Sequence, residues 1–181
     1  MLEFRSKITV KVLGYYFLNP ERRQYINELA DVLEVDPGNL FRKLKELEQE
    51  GVLLSEMVGN QKYFFLNKKY PLLKELEKVF SSKYGVVNLL KEKIKKIKGL
   101  KSAFIFGSYA KDSFQQESDI DLLLVGSHSP LEAKRAILPL QKNLGREINI
   151  VDMTAREFES RKKKKDEFVK NIFSQKTIKI F

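Results

Sequence analysis

Hydrophobic positions along this 181-residue chain follow two rhythms. In the first half the rhythm is helical. Ile8, Val12, Leu13 and Tyr16 recur every three or four residues until Asn19-Pro20, and Ile26, Leu29, Ala30 and Leu33 repeat the pattern as far as Val35-Asp36-Pro37. A third helix is better signed: Asp36 can cap it, Pro37 suits its first position, Leu40, Phe41, Leu44 and Leu47 form one stripe, and Gly51 stands at its end. Two β-prone runs, Val52-Leu53-Leu54 and Tyr63-Phe64-Phe65-Leu66, then flank Gly59-Asn60, where the backbone can take the positive φ of a tight hairpin. Leu72, Leu73, Leu76, Val79 and Phe80 predict a helix broken at Ser81-Ser82 and Gly85. Val86, Leu90, Ile94 and Ile97 predict the next.

In the second half the apolar residues gather into unbroken runs. Ala103-Phe104-Ile105-Phe106 and Ile120 with Leu122-Leu123-Leu124-Val125 read as strands buried on both faces, with a polar stretch from Gly107 to Ser118 between them. Leu131 to Leu144 reads as helix, Ile148-Asn149-Ile150-Val151 as a third strand, Ala155 to Phe173 as helix and Thr177 to Phe181 as a last strand. The fold class expected is α+β, in two domains, 1–84 and 85–181, with the boundary near Lys83 to Gly85. No internal repeat interrupts this division, and Lys162-Lys163-Lys164-Lys165 is its one compositional oddity.

Charge sharpens the contrast between the halves. The chain has 34 basic and 24 acidic residues, net +10, of which residues 1–84 supply +2 and residues 85–181 supply +8. A polyanionic partner such as nucleic acid or nucleotide suits that balance. The absence of Cys excludes disulfides, thiolate zinc sites and cysteine nucleophiles, and the single His128 rules out His-rich metal sites, so oxygen must supply most of the ligands of any metal. No run approaches the roughly 18 apolar residues of a membrane span, and Met1 to Arg5 lacks the layout of a secretory leader. A cytoplasmic protein without membrane contact is expected.

Candidate chemistry lies at the start of the second buried strand. Asp119 and Asp121 flank Ile120, and a period of two sends both carboxylates to one face. Two adjacent anions favour a bridging cation, and hard Mg²⁺ (or Mn²⁺) binds through carboxylates together with substrate phosphates. Two aspartates at a strand end are also compatible with simple solvation. The preceding strand ends at Gly107-Ser108, where glycine permits close backbone approach and a serine hydroxyl can meet phosphate oxygens, with Lys111 nearby for added charge. An ordinary strand-to-helix turn has the same composition.

Together, Gly107-Ser108-Tyr109-Ala110-Lys111 and Ser118-Asp119-Ile120-Asp121-Leu122-Leu123-Leu124-Val125 resemble the signature of minimal nucleotidyltransferases of the DNA polymerase β superfamily. The resemblance covers roughly residues 86–181. It implies a mixed sheet with flanking helices, an NTP donor, two divalent metals with Asp119 and Asp121 among their ligands, and phosphate binding at Gly107 and Ser108. The family's third carboxylate stands on the neighbouring strand, where this chain has Asn149; Asp112 replaces a frequent glycine. If Ile148 and Ile150 face the core, Glu147, Asn149 and Val151 face the other way and Asp152 is out of phase unless the strand has ended. Asparagine can ligate a metal but is no general base at neutral pH. Transfer is then slow, recruits Glu147 or Asp152, or has been lost with nucleotide binding retained.

The three helices and hairpin of residues 4–67 resemble a winged helix-turn-helix domain, which implies Asp36 to Gln49 as recognition helix and the hairpin as wing. With Leu40, Phe41, Leu44 and Leu47 inward, Asn39, Arg42 and Lys43 project toward double-stranded DNA, and Gln61 and Lys62 lie near the wing tip. The helix near residues 70–81 is a candidate homodimer contact. Two functions follow: Mg-dependent nucleotidyl transfer to a protein or RNA acceptor, coupled to DNA binding, or a transcription regulator with a nucleotide-sensing or inactive second domain. A partnership of the toxin-antitoxin kind is a third, implied by the resemblance. His128 reads as a loop residue, and the lysine run as a solvated helix or a contact for a polyanionic acceptor.

Overall fold

The structure, a computed structural model, describes residues 6–111 and 118–181. Met1 to Arg5 and Asp112 therefore lie outside the described residues. By its internal contacts the chain divides into two compact units, Met1–Gly85 with Lys142–Gly145, and Val86–Gln141 with Arg146–Phe181.

The first unit opens with α1 (Lys7–Leu18), capped by the Ser6 side chain, which accepts from the Thr9 amide. A short strand β1 (Arg23–Tyr25), α2 (Ile26–Leu33) and α3 (Pro37–Gln49) follow. Asp36 caps α3 by accepting from the Asn39 amide, as its place before Pro37 predicts. Strands β2 (Leu53–Val58) and β3 (Gln61–Leu66) form the hairpin, with Gly59 at φ 58° in its turn. The sheet order is β1-β3-β2, all antiparallel. Leu13, Tyr16, Leu29, Leu33, Leu40, Leu44 and Phe64 are fully buried in one cluster. The Tyr16 hydroxyl donates to the Phe64 carbonyl at 2.8 Å, which removes the cost of burying it unpaired.

Two features of this unit differ from the sequence reading. Strand β1 has no apolar alternation of its own and exists through its pairing with β3, Arg23 opposite Phe65. Helix α4 (Leu73–Tyr84) runs through Ser81-Ser82 instead of breaking there. The Ser82 hydroxyl donates to the Val79 carbonyl, a bond within the helix, so the serine satisfies itself without ending it.

The rest of the chain forms α5 (Val86–Ile94), β4 (Leu100–Phe106), the single turn α6 (Gly107–Ala110), β5 (Ile120–Gly126), α7 (Pro130–Ile137), α8 (Pro139–Leu144), β6 (Ile148–Met153), α9 (Ala155–Lys163), α10 (Glu167–Phe173) and β7 (Ile178–Lys179), all in the second unit except the end of α8 from Lys142. The sheet of this unit has the order β6-β5-β4-β7. Strands β5 and β6 are parallel and the other pairs antiparallel, so the sheet is mixed and helices flank it. Leu122, Leu123 and Leu124 are each fully buried, which explains why β5 is apolar without alternation. Leu123 and Val125 pack with Val169, Ile172, Phe104, Phe106 and Phe158, so α9 and α10 cover that face.

Both long helices read from this half are in fact pairs. Pro139 lacks an amide hydrogen and starts α8 where a continuous helix would need that donor. Between α9 and α10, Lys165 takes a left-handed φ of 53°, and Asp166 caps the new helix by accepting from the Val169 amide at 3.2 Å. Among the described residues, no helix is long and apolar enough to cross a membrane.

Candidate active site

Strand register builds the site. Antiparallel pairing sets Phe106 opposite Asp121, and parallel pairing sets Asp121 opposite Asn149, so three strands bring their functional residues to one level. The residue after Phe106 is Gly107, at φ 73°. A β-carbon there would lie far inside contact distance of Asp121 Oδ2, so only glycine fits both the backbone and the space. Asp121 shares a face with Leu123 and Val125 by alternation, and so opens on the side of the sheet that α9 and α10 cover.

Asn149 joins the two aspartates. Its Nδ2 donates to Asp119 Oδ2 at 3.1 Å and to Asp121 Oδ1 at 3.3 Å. The amide hydrogens supply the positive end that two neighbouring carboxylates require. Burial pushes the Asp121 carboxyl above the ordinary range, the Asn149 hydrogen bond opposes that shift, and the charge of Asp119 adds to it. A half-buried carboxylate pair is therefore short of positive charge. Its donors are hard oxygens, two of them anionic and on one face, and Gly107 keeps the space beside them open, a set that fits Mg²⁺ or Mn²⁺. Among the described residues, no group of three or more His, Asp or Glu side chains converges anywhere.

The other residues singled out from the sequence are distributed unevenly. Ser108 lies in α6 beside Gly107, its carbonyl accepting from the Lys111 amide at 3.3 Å, and the Lys111 side chain is exposed. Glu147 is exposed, and its carbonyl accepts from the Ile120 amide at 2.9 Å. Asp152 is not brought to the pair. Strand β6 continues to Met153, so Asp152 stays on the opposite face from Asn149, and its Oδ1 lies 2.8 Å from His128 Nε2. His128 lies in the loop between β5 and α7, as expected, but its side chain is buried against Asp152, and its Nδ1 has no partner among the described residues.

In the first unit, Asn39 and Arg42 are exposed on α3 and hydrogen-bonded to each other. Lys43 pairs with Glu46 at 2.7 Å. Lys62 pairs with Glu48 at 2.9 Å and lies over the Phe64 ring. Gln61 accepts from the Tyr63 hydroxyl at 3.1 Å. Two of the three cations singled out for DNA are therefore already compensated within the unit.

No curated protein matches the chain. Among solved structures, it is similar to a toxin-antitoxin crystallised with AMP-PNP, at 16% identity and a TM-score of 0.40, over 53% of this chain and 73% of that one. It is also similar to a mutant of the toxin-antitoxin MntA-HpeT, at 14% identity and a TM-score of 0.36, over 53% of this chain and 69% of that one. The family described as "Nucleotidyltransferase domain" matches residues 87–180, more than half of the chain and the part that contains Gly107, Asp119, Asp121 and Asn149; the chain belongs to that family.

Proposed function

We propose that the second unit binds a nucleoside triphosphate with Mg²⁺ or Mn²⁺ and transfers its nucleotidyl group to an acceptor. The observation that carries this reading is the common level of Gly107, Asp121 and Asn149, with Asp119 tied to the same amide. Asp119 and Asp121 would hold the metal, and Asn149 can offer its Oδ1 once the amide turns. When bound, the metal neutralises charge on the α-phosphoryl group and on the departing pyrophosphate. Gly107 and Ser108 would hold the phosphates, with exposed Lys111 adding charge beside them. An acceptor oxygen then attacks the α-phosphorus in line, and the bond to pyrophosphate breaks.

The acceptor is a protein or an RNA. The first unit is the candidate reader of double-stranded DNA, a winged helix-turn-helix with α3 as recognition helix and the β2–β3 hairpin as wing. Exposed Asn39, Arg42 and Gln61 support that assignment. Leu72, the N-cap of α4, and Val79 within it, 59% and 58% exposed, make this helix the candidate surface for a homodimer.

Asn149 favours a second reading. It takes no proton from an acceptor hydroxyl, which suits a regulator whose second unit binds nucleotide without turnover. Calorimetry of ATP, GTP, CTP and UTP with Mg²⁺ or Mn²⁺ tests both, because it needs no acceptor. Metal-dependent binding by the wild type, lost in Asp119→Ala/Asp121→Ala, is the expected result. Equal binding by the two proteins, or none by folded wild type, sinks the assignment of this site. Pyrophosphate release with candidate acceptors then separates transfer from sensing.

A further inference from the structure

We infer that the cleft between α9 and α10 is a docking groove for an acidic, amphipathic peptide segment of a partner protein. The groove holds about 480 Å³. Phe158, Val169 and Phe173 line its apolar part, and Lys162, Lys165, Lys170 and one acid, Asp166, line its rim. Phe173 is 40% exposed, an aromatic surface that the second unit leaves without a cover of its own.

Charge selects the guest. None of the three rim lysines has an ion-pair partner among the described residues, whereas Arg161 takes both nearby carboxylates, Glu157 at 2.8 Å and Asp166 at 3.9 Å. Asp166 is further engaged in capping α10. Two of the four acidic side chains of residues 155–181 are thus taken up inside the helix pair, and the three lysines stay exposed. Residues 155–181 contain nine basic and four acidic side chains, so half of the chain's net +10 falls in this terminal stretch. A guest that brings carboxylates to the rim neutralises charge that the fold leaves over.

Shape then separates a peptide from other anions. The two rings that line the groove, Phe158 and Phe173, meet at 64°, edge to face, and so do not form a parallel-sided slot for a flat base. A concave site also receives protruding groups, and a lipid surface offers none, since membrane contact needs apolar groups that project from the protein. Side chains on one face of a short helix or strand supply such protrusions, with acidic neighbours at the rim. The left-handed Lys165 and the Asp166 cap fix the angle between the helices, so the groove is formed before the guest arrives. The inference does not depend on nucleotide transfer.

The test pans a display library of random 12-residue peptides against the full chain and measures the enriched peptides by fluorescence polarisation. Lys162→Glu with Lys170→Glu is the comparison protein, its fold checked by circular dichroism. Should that variant unfold, Lys162→Gln with Lys170→Gln takes its place. Expected are sequences with two or three large apolar residues among Asp and Glu, binding the wild type about tenfold or more tighter than the variant and weakening with salt. No enrichment overturns the proposal, as does enrichment that survives the substitutions. Labelled oligouridine and anionic phosphatidylserine vesicles run in parallel. Loss of their binding in the variant, without peptide selection, reassigns the groove to nucleic acid or membrane and overturns the peptide reading.

Discussion

The two units differ in the charges they leave uncompensated, although both contain ion pairs. In the first, cations and anions find one another: Arg23 with Glu56, Lys43 with Glu46, Lys62 with Glu48 and Lys68 with Glu21. In the second, Asp119 and Asp121 share a face with no cation among the described residues to pair them, and Lys162, Lys165 and Lys170 have no ion-pair partner among the described residues, the nearby Asp166 being taken by Arg161. Exposed ion pairs of the first kind contribute little to stability and make a surface nearly neutral. Charges of the second kind raise the free energy of the free protein, and a ligand of opposite charge lowers it. The candidate nucleotidyltransferase residues lie where compensation is missing, whereas in residues 1–84, net +2, much of the charge of both signs is paired internally.

The largest expected effect comes from closing the space beside the uncompensated carboxylates. Gly107→Ala adds a β-carbon into Asp121 Oδ2 at a backbone φ of 73°. Strain of that kind costs about 1–3 kcal/mol, and displacement of Asp121 should lower metal-nucleotide affinity by about tenfold or more. Thermal melting and calorimetry on one preparation check both numbers. Wild-type affinity in a folded Gly107→Ala protein would mean that the turn is not part of the site.

A smaller effect sharpens the role of Asn149. Asn149→Asp replaces the amide that bridges Asp119 and Asp121 with a third anion. Without metal, the variant should melt lower, by about 1 kcal/mol of like-charge repulsion at a partly solvated site. Added Mg²⁺ should then raise its melting temperature more than that of the wild type, because a tighter metal site stabilises the folded state by mass action. Equal response of the two proteins to Mg²⁺ would remove Asn149 from the candidate ligand set.

Much of this site was legible from strand periodicity. The apolar runs predict β4 and β5, alternation puts Asp119 and Asp121 on one face, and the phase of Ile148 and Ile150 sends Asn149 toward them and Asp152 away. What periodicity does not carry is a contact made only by pairing. His128 and Asp152 are 24 residues apart in sequence, and they meet because β5 and β6 run parallel, with Leu124 opposite Asp152. Strand β1 likewise needs β3, and the bridging role of the Asn149 amide needs both neighbours. The helix breaks at Pro139 and Lys165 were missed for another reason. Apolar spacing continues across them and outweighs the two local marks of interruption, Pro139 and the capping Asp166, while the left-handed backbone of Lys165 falls at a residue type that seldom adopts it.

The smallest effect tests whether pairing truly silences charge in the first unit. Glu48 accepts from the Ser55 hydroxyl and pairs with Lys62, and that hydroxyl, the largest influence, together with Lys62 holds its carboxyl below the ordinary range. A depressed folded-state value means stability that is present above the unfolded-state pKa and is lost as pH falls through the lower, folded one. Glu48→Gln should therefore cost under about 1 kcal/mol at neutral pH, since the pair is near the surface and screened. The stability curves of the two proteins should converge in acid, once Glu48 of the wild type is protonated. The same substitution frees Lys62, so the salt dependence of duplex DNA binding should steepen by about one ion. Unchanged salt dependence would separate Lys62 from the proposed DNA contact.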